Sequence, residues 1–282
     1  MKESKRIPLS INGNATILDR VNTNEFFDKS AGALMQNSPI DLFGKNIEGI
    51  NDLLGMTAKH AFLGQIMLLG YVSAVESYFR QVFRSIINCD VGARKSCMQK
   101  SLDYGAAYSY AIKSPDLLPE ALLEKYTFIK KDVIVNVIDD FLGIKINLPD
   151  ELTTSLNEFE RICHLRHCAV HRFGRLGSMN AIFLGLEEHG DKIDLPIKLE
   201  SKDLVQIAAI CSNLVKIANN TLFDLLLFRS VNNKTIDWQW DLRKDRKHFK
   251  MYFDLFYSNK FSSKDEHDLK KLYDIFRNNH ER

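Results

Sequence analysis

Helical spacing of apolar residues is the feature that most constrains the fold of this chain of 282 residues. From Asp52 to Phe228, apolar side chains recur every three or four positions, which is the period of an amphipathic α-helix. Gly143 and Gly174 suit helix ends, and prolines followed by acidic residues suit two helix starts. The sequence therefore predicts an all-α fold, with its strongest helices at residues 58–88, 119–141 (one helix or two), 149–172 and 202–228.

The two ends of the chain differ from this helical middle. Residues 1–50 are rich in Asn, Gly and Ser and alternate in polarity only in IPLSINGNATIL, so we predict an N-terminal arm, with a short hairpin as an option. Residues 51–230 form the predicted helical domain. Residues 231–282 are aromatic and basic, with 12 Lys and Arg against 9 Asp and Glu, and are predicted to be a C-terminal helical extension. The segment HGDKIDLPIKLES is expected to be a small hairpin or an extended loop.

Composition and charge exclude several classes of protein. Because the net charge is only +2, any basic surface for a nucleic acid must be local. The longest apolar run, AFLGQIMLLGYVSAV, is interrupted by Gln65 and is too short for a membrane span, so no membrane is expected. Five cysteines without a CxxC pair, and a start without an apolar signal segment, favour a reduced, cytoplasmic protein. The motifs of nucleotide hydrolases, serine hydrolases and zincins do not occur in the sequence.

An arginine stands on the apolar face of the helix predicted at residues 149–172. That face is defined by apolar residues at steps of four, three, four and seven, namely Leu152, Leu156, Phe159, Cys163 and Val170. Arg166 lies on the same face, and a buried guanidinium needs an anionic partner. Glu76 is a candidate, because it stands mid-stripe on the helix predicted at 58–88. Either Glu76 meets Arg166, or it lies at a helix edge and reaches water.

Three histidines follow one another along the same helix. His164, His167 and His171 are spaced i, i+3 and i+7, so an unbroken helix sets them along one side. One interpretation is a metal site that Cys168 could join. A second is a solvated polar face. A third is acid–base chemistry, because an imidazole with a pKa of about 6.5 both takes and gives a proton near neutrality.

The stretch LRHCAVHRFG resembles a known ribonuclease motif. Arg166 to His171 is similar to the R-x(4–6)-H signature of HEPN-domain proteins, and the local context is similar to the L-R-[N/H]-x-x-V-H-x-x-G form of ribonuclease-type members. Upstream, LLGYVSAVESYFRQVFRSI resembles the long first helix of that group, and FIKKDVIVNVIDDFLGIKI resembles their central helices. The resemblance covers roughly residues 50–230.

This resemblance implies an antiparallel helical bundle that forms a homodimer, with two motif copies meeting in a composite cleft. Many members of the family are metal-independent endoribonucleases of toxin–antitoxin, abortive-infection or other antiviral systems, in which an antitoxin or inhibitor protein is a partner. Others are catalytically silent modules that bind RNA, a nucleotide or a partner protein. When the roles known for the family are assigned by position, His171 is the acid–base group, Arg166 stabilises the phosphate and the transition state, and His167 supports the pair. The resemblance implies no cofactor.

The chemistry of RNA fits this assignment of roles. The 2′-hydroxyl attacks the adjacent phosphorus once its proton is removed, which leaves a 2′,3′-cyclic phosphate and a 5′-hydroxyl, and DNA lacks the attacking group. Arg166 and His171 are five residues apart, however, which is about 140° between their directions on a regular helix. Either the helix loosens near His171, or the site is composite across a two-fold axis. We favour the composite site.

Further cations and aromatic residues have two interpretations each. Arg172 and Arg175 either contact RNA phosphates or cap the end of the helix. The C-terminal aromatic and basic residues either form a stacking surface for single-stranded RNA or pack a terminal helix onto the bundle. They are Trp238, Trp240, Arg243, Lys244, Arg246, Lys247, Phe249, Tyr252, Phe253, Phe256 and Tyr257.

Overall fold

The computed structural model describes residues 11, 20–28, 37–58, 60, 62–113, 115–145, 147–262 and 268–281. The chain divides into two units, Met1–Gln36 and Asn37–Arg282. In the first unit, Thr23–Phe26 form an exposed 3-10 turn. The sequence offers a short hairpin in IPLSINGNATIL as an option. Apart from Ile11, this segment lies outside the described residues.

The second unit is all-α, as the periodicity predicts. Its described residues contain eleven α-helices and no strand, and one isolated bridge joins Arg175 to Pro196. The helices are α1 (Pro39–Asn51), α2 (Leu63–Cys89), α3 (Val91–Cys97), α4 (Tyr104–Lys113), α5 (Leu118–Leu123), α6 (Lys131–Asp140), α7 (Asp150–Arg172), α8 (Ser178–His189), α9 (Ser201–Asn232), α10 (Leu242–Phe256) and α11 (Leu269–His280). None of the described helices is both long and apolar enough to cross a membrane.

Three long helices, α2, α7 and α9, pack against one another and build the core. On α2 the fully buried residues recur every three or four positions, so one broad stripe faces the neighbouring helices. They are Leu68, Tyr71, Val72, Val75, Phe79, Val82, Phe83 and Ile86. The helix predicted at 119–141 is two helices, α5 and α6, because the chain turns between Glu124 and Lys130.

The helix α1 lies within the segment that the sequence assigns to the N-terminal arm. Ser38 caps it by accepting a hydrogen bond from the Asp41 N–H, and Pro39 occupies its first position. Its residues Ile40, Phe43 and Ile47 are buried against the bundle. The compact second unit therefore begins at Asn37 rather than near residue 50.

The C-terminal residues 231–281 are joined to the bundle through buried carboxylates. Asp90 bonds with Arg229 and accepts a hydrogen bond from the Tyr252 hydroxyl. Asp41 accepts hydrogen bonds from the Ser258 hydroxyl and the Asn259 amide. Most of the aromatic side chains in the described part of this segment are buried, and its four cations at 243, 244, 246 and 247 are exposed. The buried aromatic residues are Trp238, Phe249, Tyr252, Phe256, Tyr273 and Phe276.

Candidate functional site

The residues His164, Arg166, His167, His171 and Arg172 lie on the last three turns of α7, and Arg175 follows the end of that helix. This helix is regular through Arg172 and ends at Phe173, which adopts the left-handed conformation with φ 51° and ψ 41°. The backbone N–H groups of Phe173 and Gly174 both donate to the carbonyl of Cys168. His171 is thus still helical, and the loosening that the sequence offers as one solution does not occur before Phe173.

Arg166 lies near Glu76 without a direct bond to it. Both side chains are half-buried, and in the described part of the chain they form neither a hydrogen bond nor an ion pair with each other. Burial raises the pKa of Glu76, whereas Arg166, Arg80 and a backbone hydrogen bond from Phe128 lower it. Burial outweighs these stabilising contributions, so Glu76 carries its charge at a cost. The predicted proximity is present, and the predicted direct contact is not formed.

Arg80 is not singled out by the sequence analysis above, and its guanidinium is hydrogen-bonded to groups other than Glu76. Its guanidinium donates to the Glu120 carboxylate at 3.0 Å and to the carbonyls of Leu123 and Tyr126 at 2.9 and 2.8 Å. It also lies 5.5 Å from the centre of the Phe128 ring. Arg166 is therefore the guanidinium near Glu76 that remains available to an anion.

His164 contacts two residues of α8. Its ring stacks on Phe183, with centroids 4.6 Å apart and planes 12° apart. Its Nδ1 lies 3.2 Å from Oδ1 of Asn180, a buried residue. These two contacts give His164 a structural role in joining α7 to α8.

His167 and His171 form a pair on the exposed side of α7. Their ring centroids are 4.4 Å apart, and both residues are exposed. Desolvation lowers the pKa of His167, and the nearby His171, His164 and Arg166 lower it further. His167 is therefore neutral at a lower pH than a free imidazole, and a neutral imidazole can accept a proton or a hydrogen bond.

Within one chain, Arg166 and His171 do not converge. They lie five residues apart on the regular part of α7, which separates their directions by about 140°. Arg166 faces α2, where Glu76 lies, and His171 is on the exposed side with His167. One copy of the chain presents the two groups on different sides of the helix.

Arg172 and Arg175 share one carboxylate, that of Asp194. Arg172 donates to Asp194 Oδ1 at 3.1 Å, and Arg175 lies 3.6 Å from Oδ2 and donates to the Asp194 carbonyl at 2.7 Å. The loop between α8 and α9 holds Asp194 there, because Asp194 N donates to the Leu176 carbonyl and Ile197 N to that of Gly174. The segment HGDKIDLPIKLES is accordingly an extended loop. The sequence does not indicate that the Asp194 carboxylate lies beside Arg172 and Arg175.

The helix α8 presents an apolar face to solvent beside the histidines. Four of its residues, namely Met179, Ile182, Phe183 and Leu186, are 52% to 62% exposed, and the helix is kinked at Gly185 (φ 110°, ψ 105°), just before Leu186. Phe183 stacks on His164, so this α8 face continues directly from the side of α7. Apolar stripes of this kind mark interaction surfaces. The strongest helices predicted from the sequence do not include α8, although apolar residues at steps of three, one and three are a helical signal.

In the described part of the chain, the histidines are not joined by enough further side chains to form a metal site. Cys168 is completely buried in a small cluster with Leu176, Ala181 and Leu184. Across the described ranges, no three His, Cys, Asp or Glu side chains are grouped so that they could hold a metal ion.

Comparison with known proteins gives no match: no protein-family model, no curated protein and no solved structure is similar to this chain. A functional assignment consequently rests on the residues at the end of α7 and on their surroundings.

Proposed function

We propose that this chain is a HEPN-like, metal-independent endoribonuclease whose active sites are each built from two copies of the chain. The observation that carries the proposal is the exposed pair of imidazoles, His167 and His171, at the end of a helix that also bears a half-buried arginine without a direct anionic partner. Acid–base groups next to a cation are what cleavage of RNA by its own 2′-hydroxyl requires.

The reaction proceeds in one displacement at phosphorus. The imidazole of His171 accepts the 2′-hydroxyl proton, the O2′–P bond forms, and the P–O5′ bond breaks. The leaving 5′-oxygen takes a proton from an imidazolium or from water. Arg166 donates hydrogen bonds to the non-bridging oxygens, where charge develops in the transition state. The lowered pKa of His167 favours its neutral form, which can accept a hydrogen bond from His171 and orient its ring.

A second copy of the chain is the partner that this site requires. Arg166 of one protomer and His171 of the other can reach one phosphodiester, whereas the two groups of a single chain diverge on α7. The α8 face (Met179, Ile182, Phe183 and Leu186) lies beside the motif and offers the apolar area that such a dimer would bury. The proposed role as a cytoplasmic toxin or antiviral effector, with an antitoxin as a further partner, follows from the family resemblance alone.

A catalytically silent HEPN-like module that binds RNA, a nucleotide or a partner protein is the second candidate. The pairing of Arg172 and Arg175 with Asp194 favours it, because two cations close to His171 already share one carboxylate. An RNA phosphate must compete with that carboxylate for either arginine. In this alternative, the α8 face would receive a different protein.

Incubation of the purified protein with single-stranded RNA in EDTA separates the two candidates. The nuclease proposal predicts fragments with 2′,3′-cyclic phosphate and 5′-hydroxyl ends, which disappear in His171→Ala and in Arg166→Ala. His248→Ala and Arg94→Ala are matched controls, since both residues are exposed and lie on α10 and α3, respectively. The same oligonucleotide in DNA should remain intact. Tight RNA binding without fragments would support the silent module and refute the nuclease.

A further inference from the structure

A cavity of about 740 Å³ opens beside the end of α7. Its walls are the start of α2 and the loop that precedes α9, with Thr57, Ala58, Phe62, Gln65 and residues 196–201 as the lining. Most of this lining is apolar, and the volume lies in the range of sites that hold small organic groups. Nothing in the nuclease proposal uses this cavity.

The cavity shares a wall with the segment that follows His171. Phe62 stacks on Phe173, with ring centroids 4.8 Å apart and planes 13° apart. Ile197 donates its N–H to the Gly174 carbonyl at 2.8 Å. Phe173 and Gly174 are two and three residues beyond His171, so the cavity lies within the reach of one nucleotide from the imidazole.

An amide without a complete set of partners lies in this wall. The Gln65 side chain covers Gly174 so closely that a Cβ on that glycine would stand 2.4 Å from its Nε2 and 2.6 Å from its Oε1. Oε1 of Gln65 is shielded from solvent and accepts no hydrogen bond. Buried amide oxygens in proteins nearly always have a donor, so rotation of the Gln65 side chain towards the cavity would let a ligand supply the missing one.

Two aromatic rings are held exposed at the same place. Phe173 adopts a left-handed backbone conformation that is unfavourable for a bulky residue, yet its ring is 75% exposed. Phe62, its stacking partner, is 45% exposed. The left-handed conformation of Phe173 is a common way for a helix to end, so the two exposed aromatic residues, and not the backbone, are what suggests a ligand here.

We propose that this cavity is a base pocket, which binds the nucleobase adjacent to the cleaved phosphodiester. The inference rests on the proposed ribonuclease function and adds a subsite to it. The base stacks on the Phe62–Phe173 pair, as bases do on aromatic side chains in single-strand binding proteins. Gln65 reads the edge of the base: Oε1 accepts from an exocyclic amino group, and Nε2 donates to a ring nitrogen. Adenine is the expected base, because its N6 and N7 atoms match a glutamine amide in this way.

Binding of RNA to a non-cleaving protein tests the base pocket separately from catalysis. In the His171→Ala background, the dissociation constants of fluorescently labelled octamers of A, C and U are measured by anisotropy. The base pocket predicts that the A octamer binds most tightly and that Gln65→Leu weakens it about tenfold, the effect of one lost hydrogen-bonded contact. The matched control is Gln206→Leu, because Gln206 is an exposed glutamine on α9 outside this cavity.

The outcomes distinguish the base pocket from the nuclease proposal. If the wild type cleaves RNA but Gln65→Leu leaves all three constants unchanged, the base pocket is refuted and the nuclease stands. If the wild type cleaves nothing while Gln65→Leu still abolishes a preference for A, the base pocket stands within a binding module. Should Gln65→Leu fail to fold, Phe62→Ala replaces it, since it truncates a half-exposed ring and should weaken all three octamers. Unchanged binding by Phe62→Ala, or no binding of any octamer, would refute the pocket.

Discussion

Mixing two inactive variants tests whether each active site draws its residues from two copies of the chain. In Arg166→Ala one group of every site is missing, and in His171→Ala the other group is missing, so neither variant alone should cleave RNA. Because α7 is regular through Arg172, the two groups of one protomer stay about 140° apart and cannot substitute for a shared site. A heterodimer of the two variants then contains one site with both groups intact and one with neither.

The expected activity follows from counting sites. Random assortment gives about one half heterodimers, each with one of two sites intact, so the mixture should reach about one quarter of the wild-type rate. The assay mixes the variants under separate affinity tags, allows subunit exchange, and follows cleavage of a fluorogenic RNA in EDTA. A mixture of His171→Ala with the double variant Arg166→Ala/His171→Ala contains no intact site and serves as the control. If tag capture demonstrates heterodimers while the mixture stays as inactive as either variant, the composite site is wrong.

Two further predictions concern stability. Tyr252→Phe removes the hydroxyl that donates to the buried Asp90 carboxylate, which should lower the free energy of unfolding, measured in urea, by about 1.5–3 kcal/mol. The control Tyr108→Phe, at an exposed tyrosine, should leave the free energy of unfolding unchanged. A loss in Tyr252→Phe no larger than in the control would contradict a stabilising role of the Tyr252–Asp90 hydrogen bond. Glu76→Gln should raise stability at pH 7, because burial raises the folded-state pKa of Glu76 above its unfolded value and the ionised form therefore costs free energy. The stability difference between Glu76→Gln and the wild type should shrink as the pH falls through the folded-state pKa, because wild-type Glu76 then becomes protonated. Thermal unfolding between pH 4 and 8 measures this difference. A variant less stable than the wild type at pH 7 would instead favour a strong bond between Glu76 and Arg166.

The all-α class and the long helices could be predicted because each buries a regular stripe. The predicted ranges 149–172 and 202–228 lie within one to four residues of α7 and α9 at each end. In contrast, α1 was absorbed into the arm because its Ser-Pro start follows an Asn- and Ser-rich segment. The missed helix α8 buries only Asn180, Ala181 and Leu184, and its apolar residues mostly face outwards.

The sequence identifies the residue types of the candidate site but not their surroundings. His167 and His171 are paired because i and i+4 are neighbours on any helix, and this follows from spacing alone. The ion pair of Arg172 with Asp194 depends on where a loop of eleven residues, 190–200, brings Asp194, and no local rule gives that position. The same holds for Gln65, which becomes notable only because the backbone of Gly174 arrives against its amide.

The buried carboxylates Asp41 and Asp90 have a practical consequence for how this chain can be dissected. Each accepts hydrogen bonds from groups in residues 252–259, so a fragment that ends near residue 230 would deprive Asp90 of the Tyr252 hydroxyl and Asp41 of its Ser258 and Asn259 partners. The C-terminal residues from 231 to the end of α10 thus form one cooperative unit with the bundle. Shortened versions of the chain should therefore keep these residues.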